Sequence, residues 1–358
     1  DTAAAFNSTL EIADVLDTIL HNVGRVVPAD SANIMLLDDS GIARIVRHEG
    51  YEEHGLDDST LRSVRHDVTV VDAMWFGNHL HPGLEAEIIQ ADTRDIDAIP
   101  VQGKDVIIHL ANVANDPGVE LDQTLSWEVN ALATQQFADR AVRAGIQQFL
   151  FASSGSVYGV KDEPDVTEDL ELVPISAYNK TKMVAERALL SYSDEMQVHC
   201  IRPATVCGPS PRMRFDVSVN MFAKQGFLDQ RMTVFGGDQV RPNIHVDDLV
   251  DVYRHFLAQP SLASGCYNAG FENISILNIA EMVRERTGAE IVVTPSNDPR
   301  SYRQNSDKLL AAGFTPRKDV ATAIDEILAG LESGAIIDRD EWYTVRWMTE
   351  HVLSSKEA

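Results

Sequence analysis

A stretch near the middle of the chain, residues 149–182, constrains the fold more than any other. It opens with an apolar run from Phe149 to Ala152, which ends abruptly in Ser153 and Ser154. A strand that is buried on both faces of a parallel sheet has this continuous apolar character, and its carboxyl end opens into a crevice. The run therefore predicts an interior parallel strand with small hydroxyl side chains at its exit.

The same stretch continues into a segment with helical periodicity, residues 177–190, which carries Tyr178 and Lys182 four residues apart. That spacing places the phenol and the ammonium group on one helix face. A free tyrosine has a pKa of ~10, and a neighbouring cation lowers it toward the range in which a phenolate can act as a base. Ser154 would hydrogen-bond the same substrate hydroxyl. A Tyr-x-x-x-Lys pair alone is usually a surface coincidence, but the hydroxyl-rich strand end upstream favours a catalytic interpretation.

The composition indicates a globular protein with an acidic surface. Of its 358 residues, 44% are apolar and 24% are charged, which allows a large core and two domains or subdomains. Thirty Lys and Arg against 55 Asp and Glu give a net charge of -25, which argues against nucleic acid or an anionic membrane as the partner. An anionic substrate would need a local basic pocket.

Cysteine usage points to a reducing compartment. The three cysteines, Cys200, Cys207 and Cys266, fit a reducing cytoplasm better than a disulfide framework. No metal-ligand spacing links them to the eleven histidines. No apolar run is long enough to span a bilayer, and the sequence shows no signal peptide. We therefore expect a cytoplasmic protein without a metal site.

Short apolar strands alternate with helices through the first half of the chain, which calls for an α/β fold with a parallel, doubly wound sheet. The predicted strands are residues 67–72, 87–91, 106–112, 149–154 and 197–203. Asp72 ends the first of them. In a dinucleotide-binding unit such an acid takes the adenosine ribose hydroxyls and disfavours the extra phosphate of NADP. An aspartate at a strand end is as often an ordinary turn residue.

After Cys207 the alternation loosens into what we predict as a smaller region. Residues 231–249 hold a strand, a Gly-Gly turn, Arg241 and the start of a helix. Two further helices are predicted near residues 278–287 and 320–330. The last segment, residues 342–352, has the pattern of an amphipathic helix for packing or for a dimer contact.

Taken in order, these motifs resemble the extended short-chain dehydrogenase/reductase family, within it the NAD-dependent nucleotide-sugar epimerases and dehydratases of the UDP-galactose 4-epimerase type. The resemblance runs from about residue 66 to about residue 331. It rests on Val-Thr-Val-Val-Asp72, Ala-Asp92-Thr-Arg-Asp, His109-Leu-Ala, Asn130, Ser-Ser154-Gly-Ser-Val-Tyr-Gly, Tyr178-Asn-Lys-Thr-Lys182, Arg202-Pro-Ala-Thr-Val-Cys-Gly208 and Arg241-Pro-Asn-Ile-His-Val-Asp247. It implies a Rossmann-like doubly wound parallel sheet with a smaller C-terminal α/β substrate-binding region.

The resemblance also implies a role for each motif residue. The implied catalytic residues are Ser154, Tyr178 and Lys182. The implied NAD-binding residues are Asp72, Asp92, Leu110, Ala111, Asn130, Lys182, Pro203 and Ala204. The implied sugar-nucleotide contacts are Ser154, Tyr178, Thr205, Asn220, Arg241 and Arg303. The guanidinium fork of Arg241 suits a diphosphate, whereas Arg303 is interpreted equally well as an exposed loop arginine.

The residues after the active-site hydroxyl bear on the reaction. Dehydratases and decarboxylases of this family usually carry an acid there, where this chain has Gly155 and Ser156. The resemblance therefore implies an NAD-dependent nucleoside-diphosphate-sugar 4-epimerase with a transient 4-keto intermediate. It would act as a homodimer on a UDP-, dTDP- or GDP-linked sugar. The alternatives are an NAD(P)H-dependent 4-keto-sugar reductase and a non-catalytic sugar-nucleotide binding or sensor module.

The first 65 residues differ in character from the rest. A helical pattern at 10–27 and two strand-like runs at 32–37 and 42–47 resemble the opening of a GAF sensory domain. No Gly-x-x-Gly-x-x-Gly or Gly-x-Gly-x-x-Gly turn stands before Asp72, where the family's phosphate-binding turn is expected. Either the strand at 42–47 takes the place of the family's first strand, or the segment is a foreign fusion.

We predict four parts of the chain on this basis. They are a partial GAF-like segment at 1–65, an NAD-binding domain at 66–204, a substrate-binding region at 205–340 and a C-terminal helix or tail at 341–358. Loss of the usual phosphate turn is expected to weaken NAD binding whichever origin the first segment has, because the helix N-terminus that would hold the pyrophosphate lacks its glycines.

Overall fold

A computed structural model of the chain describes residues 32–37, 43–49, 67–296 and 301–354. The helix predicted at residues 10–27 lies outside the described residues. The chain forms two compact units, Asp1–Thr69 and Val70–Ala358. The finer boundaries predicted at residues 204 and 340 stay predictions.

In the first unit, two strands form the antiparallel hairpin that the sequence predicts. Strand β1 spans Ala32–Leu37 and strand β2 spans Ala43–Glu49. Their register runs from Leu37 opposite Ala43 to Ala32 opposite Glu49, with a shift between Ile34 and Met35. The resemblance to a GAF domain stays a prediction.

The second unit alternates strands and helices. Its strands are β3 Thr69–Asp72, β4 Glu87–Gln90, β5 Val106–His109, β6 Gln148–Ala152, β7 Gln197–Pro203, β8 Thr205–Cys207, β9 Arg231–Phe235, β10 Val240–His245, β11 Gly265–Ala269, β12 Glu272–Ser275 and β13 Glu290–Thr294. Its helices are α1 Asp116–Leu121, α2 Gln123–Trp127, α3 Ala133–Ala144, α4 Ala177–Leu190, α5 Ser218–Lys224, α6 Val246–Ala258, α7 Ile276–Thr287, α8 Asp307–Ala311, α9 Val320–Glu332 and α10 Thr344–Trp347. Short 3₁₀ turns occur at Ile96–Ala98, Gly155–Tyr158 and Asp340–Trp342, and π-helical turns at Glu128–Leu132, Gln225–Asp229 and Met348–Leu353.

The central sheet is parallel throughout, which confirms the predicted α/β architecture. Its strand order is β11-β7-β6-β5. Strands β3 and β4 pair with each other as a separate section. A doubly wound sheet places its first strand between its second and fourth strands. With β3 as the second strand of that arrangement and β5 as the fourth, the first strand would lie between β3 and β5.

Helices cover both faces of this sheet because alternate residues of each strand point to opposite sides. In β6, Phe149 and Phe151 pack with α3 and α4, whereas Leu150 packs with α6. All three of these side chains are fully buried. The continuous apolar run seen in the sequence is thus the signature of a strand with two buried faces.

The remaining strands build a smaller region in the second half of the chain. In one sheet β10 pairs parallel with β8 and antiparallel with β12, and in another β13 pairs parallel with β9. Helices α5, α7 and α9 pack around a separate apolar cluster with β9. Within residues 67–296 and 301–354, none of the helices combines the length and the apolar character that a bilayer crossing requires.

A buried ion pair joins the central sheet to helix α4. Arg202 of β7 donates from Nε to Glu186 Oε1 at 2.8 Å and from Nη2 to Glu186 Oε2 at 2.7 Å. The two side chains are 4% and 1% exposed. Arg202 Nη1 also donates to Tyr158 Oη at 2.8 Å, and Tyr158 Oη donates to Asn268 Oδ1 at 2.8 Å. Every charged atom of the pair is thus matched in the interior.

We expect Arg202→Met to lower the free energy of unfolding by about 3–5 kcal/mol, because it leaves the Glu186 carboxylate buried without its cation. The double variant Arg202→Met/Glu186→Leu should recover most of that loss, since neither charge then remains. Urea denaturation of the three proteins measures both effects. As a control, Arg286→Met breaks the surface pair with Asp325 (side chains 26% and 60% exposed) and should cost less than about 1 kcal/mol. Equal losses at the two sites would contradict the expectation.

Candidate active site

The predicted catalytic side chains meet at the carboxyl end of β6. Helix α4 begins at Ala177, because the Ser176 side chain accepts a hydrogen bond from the backbone N–H of Asn179 at 3.1 Å. The first turn of α4 carries Tyr178, and the Ser154 side chain lies near enough to its phenol to lower the pKa of that phenol. One turn later, Lys182 Nζ lies 6.0 Å from the centre of the Tyr178 ring. The structure thus brings together the three residues that the sequence pattern singles out.

A series of hydrogen bonds fixes the Ser154 hydroxyl. Ser154 Oγ lies 2.7 Å from Ser156 Oγ, and Ser156 Oγ donates to Asn179 Oδ1 at 2.7 Å. Asn179 is fully buried in the first turn of α4. The hydroxyl that faces Tyr178 is therefore fixed through the same helix that carries the phenol. Sequence analysis did not assign this role to Ser156 and Asn179.

Burial opposes charge on both members of the Tyr–Lys pair. Lys182 is 1% exposed and donates from Nζ to the carbonyl oxygen of Ala152 at 2.8 Å. Desolvation lowers the pKa of Lys182 to about 7, although the Glu186 carboxylate acts in the opposite direction. Desolvation also raises the pKa of Tyr178 to about 12, against the lowering effects of Ser154 and of the Arg214 charge. In the protein alone, burial thus outweighs the lowering of the Tyr178 pKa that the sequence predicts.

His109, at the end of β5, is a buried neutral group beneath this site. Its Nε2 lies 2.9 Å from Thr134 Oγ1, and its ring stacks on that of Phe151 at 5.8 Å. Burial, with the nearby Lys182 charge, lowers the pKa of His109 to about 3. The neutral imidazole is therefore part of the folded state at every pH above that value.

Stability should fall with acid because of this histidine. The pKa of His109 is lowered from 6.5 in the unfolded chain to about 3 in the folded protein. Between these values the unfolded chain binds a proton that the folded protein does not, so stability is complete above pH 6.5 and is lost as the pH falls toward 3. From pH 7 to pH 4 the wild type should lose about 3 kcal/mol more than His109→Gln, which keeps a hydrogen-bonding side chain but does not titrate.

Urea unfolding of both proteins across this pH range measures the difference. His351→Gln, at a side chain that is 49% exposed, is the control and should follow the wild type. Parallel pH dependences of the wild type and His109→Gln would contradict the prediction.

The profile of the NAD dependent epimerase/dehydratase family matches residues 40–270, well over half of the chain. The chain belongs to the NAD-dependent epimerase/dehydratase family. This confirms the resemblance inferred from the motifs. The match begins earlier than residue 66, so it includes β2 and overlaps the segment that resembles a GAF domain.

Individual relatives agree with the family, and one solved structure agrees with the fold. The chain is 26% identical to the UDP-glucose 4-epimerase of Corynebacterium glutamicum over 292 residues, covering 74% of this chain and 88% of that protein. It is 32% identical over 200 residues to an uncharacterized UDP-glucose epimerase of Bacillus subtilis, covering 52% of this chain but only 60% of that protein. The structure of MoeE5 in complex with UDP-glucuronic acid and NAD is similar in fold, with a TM-score of 0.67 at 24% identity over 75% of this chain and 91% of MoeE5.

NAD is the cofactor of this family, and unpaired polar atoms at the strand ends fit it. Thr93 follows β4 and Asn112 follows β5, on the carboxyl side where such folds bind dinucleotides. Thr93 Oγ1 and Asn112 Oδ1 are buried and have no hydrogen-bond partner in the part of the chain that the structure describes. Two orphaned acceptors in this crevice suit the hydroxyl and amide groups of a dinucleotide.

The two aspartates predicted to hold the adenosine half of NAD lie at different depths. Asp72 is exposed at the end of β3, where its Oδ1 accepts from the backbone N–H of Met74 at 2.6 Å. Asp92 is bound by both Nε and Nη2 of Arg94 at 2.9 Å, and Arg94 Nη1 reaches Glu128 Oε2 at 3.0 Å. An open cavity of about 560 Å³ lies beside these groups, with Leu132 and Gln136 on its wall. Any adenosine contact of Asp92 would be shared with Arg94, a partner that sequence analysis missed.

The other residues predicted to line NAD differ in exposure and in the contacts that they make. The Leu110 side chain is 52% exposed at the end of β5, and Ala111 beside it is half-buried. Asn130 is buried, with Oδ1 accepting from Val113 N at 2.7 Å and Nδ2 donating to Val113 O at 3.1 Å and Thr181 Oγ1 at 3.2 Å. Asn130 therefore fixes the loop after β5 against α4. A direct contact of its amide with NAD stays a prediction.

Two predicted NAD contacts, Pro203 and Ala204, and two predicted substrate contacts, Thr205 and Asn220, lie from the end of β7 to helix α5. Pro203 ends β7, Ala204 donates from its backbone to Ala269 O at 2.8 Å, and half-buried Thr205 starts β8. Asn220 is 3% exposed, and its Oδ1 accepts from the backbone N–H of Gly208 at 3.0 Å. Gly208 has φ +106, and a Cβ there would lie 2.8 Å from His245 Nε2. Asn220 thus holds a turn that only glycine can form.

The two predicted phosphate-binding arginines belong to adjacent segments. Arg241 is half-buried in β10, and Arg303 is exposed. The segments meet because Tyr302 donates from its backbone to Val240 O at 3.4 Å. Their contact with a diphosphate stays a prediction.

A further arginine near Tyr178 escaped sequence analysis. Arg214 donates from Nε to Asp216 Oδ1 at 2.7 Å, and Asp216 Oδ2 accepts from Thr344 N at 3.2 Å and Asn115 Nδ2 at 3.4 Å. Within the described ranges Arg214 Nη2 is buried and has no hydrogen-bond partner. The sequence does carry a pattern here, because residues 212–216, Arg-Met-Arg-Phe-Asp, alternate charged and apolar side chains. The two apolar members, Met213 and Phe215, are buried in a separate apolar cluster.

The C-terminal segment packs with two aromatic residues that follow β3. Trp347 donates from Nε1 to Trp75 O at 2.6 Å, and Arg212 lies 3.7 Å from the centre of the Phe76 ring. Trp75, Phe76 and Tyr178 all pack against one apolar cluster, which includes Met348. The terminal amphipathic pattern thus serves as a packing element, one of the two interpretations left open by the sequence.

Proposed function

We propose that this chain is an NAD-dependent nucleoside-diphosphate-sugar 4-epimerase. The observation that carries the proposal is that Tyr178 and Lys182 lie one helical turn apart on α4, with Lys182 Nζ 6.0 Å from the Tyr178 ring, beside Ser154 at the exit of β6. The relatives named UDP-glucose 4-epimerase and UDP-glucose epimerase support UDP as the nucleotide. A dTDP- or GDP-linked sugar is the less supported choice.

The chain's own groups would handle the proton of the sugar hydroxyl. Tyr178 would accept it at the phenolic oxygen, and Ser154 would hold the same hydroxyl in place through the chain that runs to Ser156 and Asn179. Bound NAD supplies the hydride acceptor and donor. Because burial raises the pKa of Tyr178 to about 12 in the protein alone, proton acceptance requires positive charge close to the phenol, of which Arg214 supplies part.

The protein's grip on the sugar nucleotide would come from the second half of the chain. Asn220 and Thr205 would contact the nucleotide sugar, and Arg241 and Arg303 would contact the diphosphate, where the guanidinium fork matches paired oxygens. A net charge of -25 makes such local cations necessary for an anionic substrate. A homodimer and a cytoplasmic location belong to the same proposal.

Replacing Tyr178 by phenylalanine should lower turnover of UDP-glucose or UDP-galactose on the order of 10²–10⁴-fold, because the proton acceptor is removed from an otherwise intact site. A coupled assay of epimer formation, with circular dichroism for the fold, measures this. Tyr192→Phe is the matched control, since that phenol is hydrogen-bonded to Gln135 at 3.3 Å and not to the site. An unchanged rate in Tyr178→Phe would overturn the proposed role.

Cofactor content and net redox change distinguish the proposal from its alternatives. One sample of the purified protein is denatured, and the NAD that it releases is quantified. A second, native sample is given UDP-glucose while the absorbance of reduced nicotinamide is followed. An epimerase should release NAD and convert the sugar with no net change in reduced nicotinamide. Stoichiometric consumption of NAD(P)H with a 4-keto sugar would indicate a reductase. Binding of UDP-glucose without NAD would indicate a sensor module.

A further inference from the structure

Two of the three cysteines face each other across neighbouring strands of the central sheet. Cys200 in β7 and Cys266 in β11 are direct partners in the parallel register of those strands. Residues paired in this way present their side chains on the same face of the sheet. Both thiols pack into one apolar cluster, with Cys200 fully buried and Cys266 half-buried.

The backbone separation at this pair suits a disulfide. Adjacent strands lie ~4.8 Å apart, within the ~4.4–6.8 Å that Cα atoms of disulfide-bonded cysteines span. The Cβ atoms must draw together to ~3.5–4.5 Å, so the bond would form under some strain and would be readily reduced. Interaction with the Cys266 side chain is the first cause, ahead of burial, that raises the pKa of Cys200 well above its usual range, in agreement with the two side chains lying on one face of neighbouring strands.

The third cysteine lacks such a partner. Cys207 in β8 stands opposite His245 in the register of β10, and its thiol donates to the carbonyl oxygen of Ile244 at 3.4 Å. It is as deeply buried as Cys200. The chain thus contains its own control for a buried thiol that has no thiol beside it.

We propose that Cys200 and Cys266 form a reversible, redox-modifiable pair that closes a disulfide between β7 and β11 on exposure to a peroxide. The half-buried Cys266 reacts first: its sulfur attacks one peroxide oxygen, the O–O bond breaks, and the departing hydroxide takes up the proton that the thiol gave up, so that a sulfenic acid and one water form. The Cys200 sulfur then displaces the sulfenic hydroxyl, which leaves as a second water with the Cys200 proton. In total the two thiols lose two protons and two electrons, and the peroxide is reduced to two waters. A thiol such as glutathione reverses the reaction by exchange.

The cross-link would lie beside the buried ion pair that supports the active site. Arg202 and Asn268 are the next register partners on the same face as Cys200 and Cys266. Arg202 binds Glu186, and Ser153, the neighbour of Ser154, donates to that same carboxylate. Oxidation would thus act on the strands that carry this network.

The test uses the native full chain treated with hydrogen peroxide. Free thiols are then alkylated after denaturation, and the protein is analysed by mass spectrometry before and after proteolysis. We expect the wild type to lose two hydrogens, to retain one alkylated thiol at Cys207, and to yield a cross-linked peptide pair containing Cys200 and Cys266. Reduced glutathione should restore three alkylated thiols.

Two variants make the result specific. Cys207→Ser should still form the cross-link, whereas Cys266→Ser, at the half-buried position, should abolish it. Three alkylated thiols in the peroxide-treated wild type would overturn the proposal, as would a link that involves Cys207 or a second chain. A sulfinic acid at Cys266 beside a free Cys200 would also overturn it, because the neighbouring thiol would then have failed to resolve the sulfenic acid.

Discussion

The Glu186 carboxylate joins three elements that meet at the candidate active site. It binds Arg202 of β7 through both oxygens, accepts from Ser153 at the exit of β6, and acts on the Lys182 charge within α4. A buried charge is tolerated only when its partners are complete. Strand β6, which leads into Ser154, and the helix that carries Tyr178 are therefore held together by a buried network behind these two side chains.

The same low-dielectric interior sets the acid–base character of the site. Burial lowers the pKa values of Lys182 and His109 and raises the pKa of Tyr178. A site of this kind favours neutral forms until positive charge comes close to the phenol. Arg214 provides such charge from the protein side, because Asp216 holds its Nε while Nη2 has no partner among the residues that the structure describes. The chemistry of the Tyr–Lys pair thus depends on groups beyond the pair.

Sequence pattern predicted the parts of this arrangement that are local. The apolar run before Ser154 and the spacing of Tyr178 and Lys182 fix a strand exit and a helix face by periodicity alone. The pairing of Asp216 with Thr344, and of Arg94 with Glu128, joins residues far apart in the chain, and no local pattern encodes such contacts. The sequence also led us to expect that Lys182 lowers the pKa of Tyr178, whereas burial raises that pKa. A sequence shows which charges are near each other, but it does not show how deeply they are buried. The exposed and half-buried positions of Leu110 and Ala111 likewise follow from where β5 ends in the fold.

The packing around Gly155, the residue that follows Ser154, is tight. A Cβ at Gly155 would lie 3.0 Å from Gln304 Oε1 and 3.2 Å from its Nε2, so a side chain there would have to displace the Gln304 amide. That amide is anchored, because Nε2 donates to Arg202 O at 2.7 Å and to Asn268 Oδ1 at 3.0 Å. An aspartate at residue 155 would thus disturb the strand that carries the buried ion pair. The packing around Gln304 therefore leaves little room at residue 155 for the acidic side chain that, by the resemblance, dehydratases of this family usually carry next to the active-site hydroxyl.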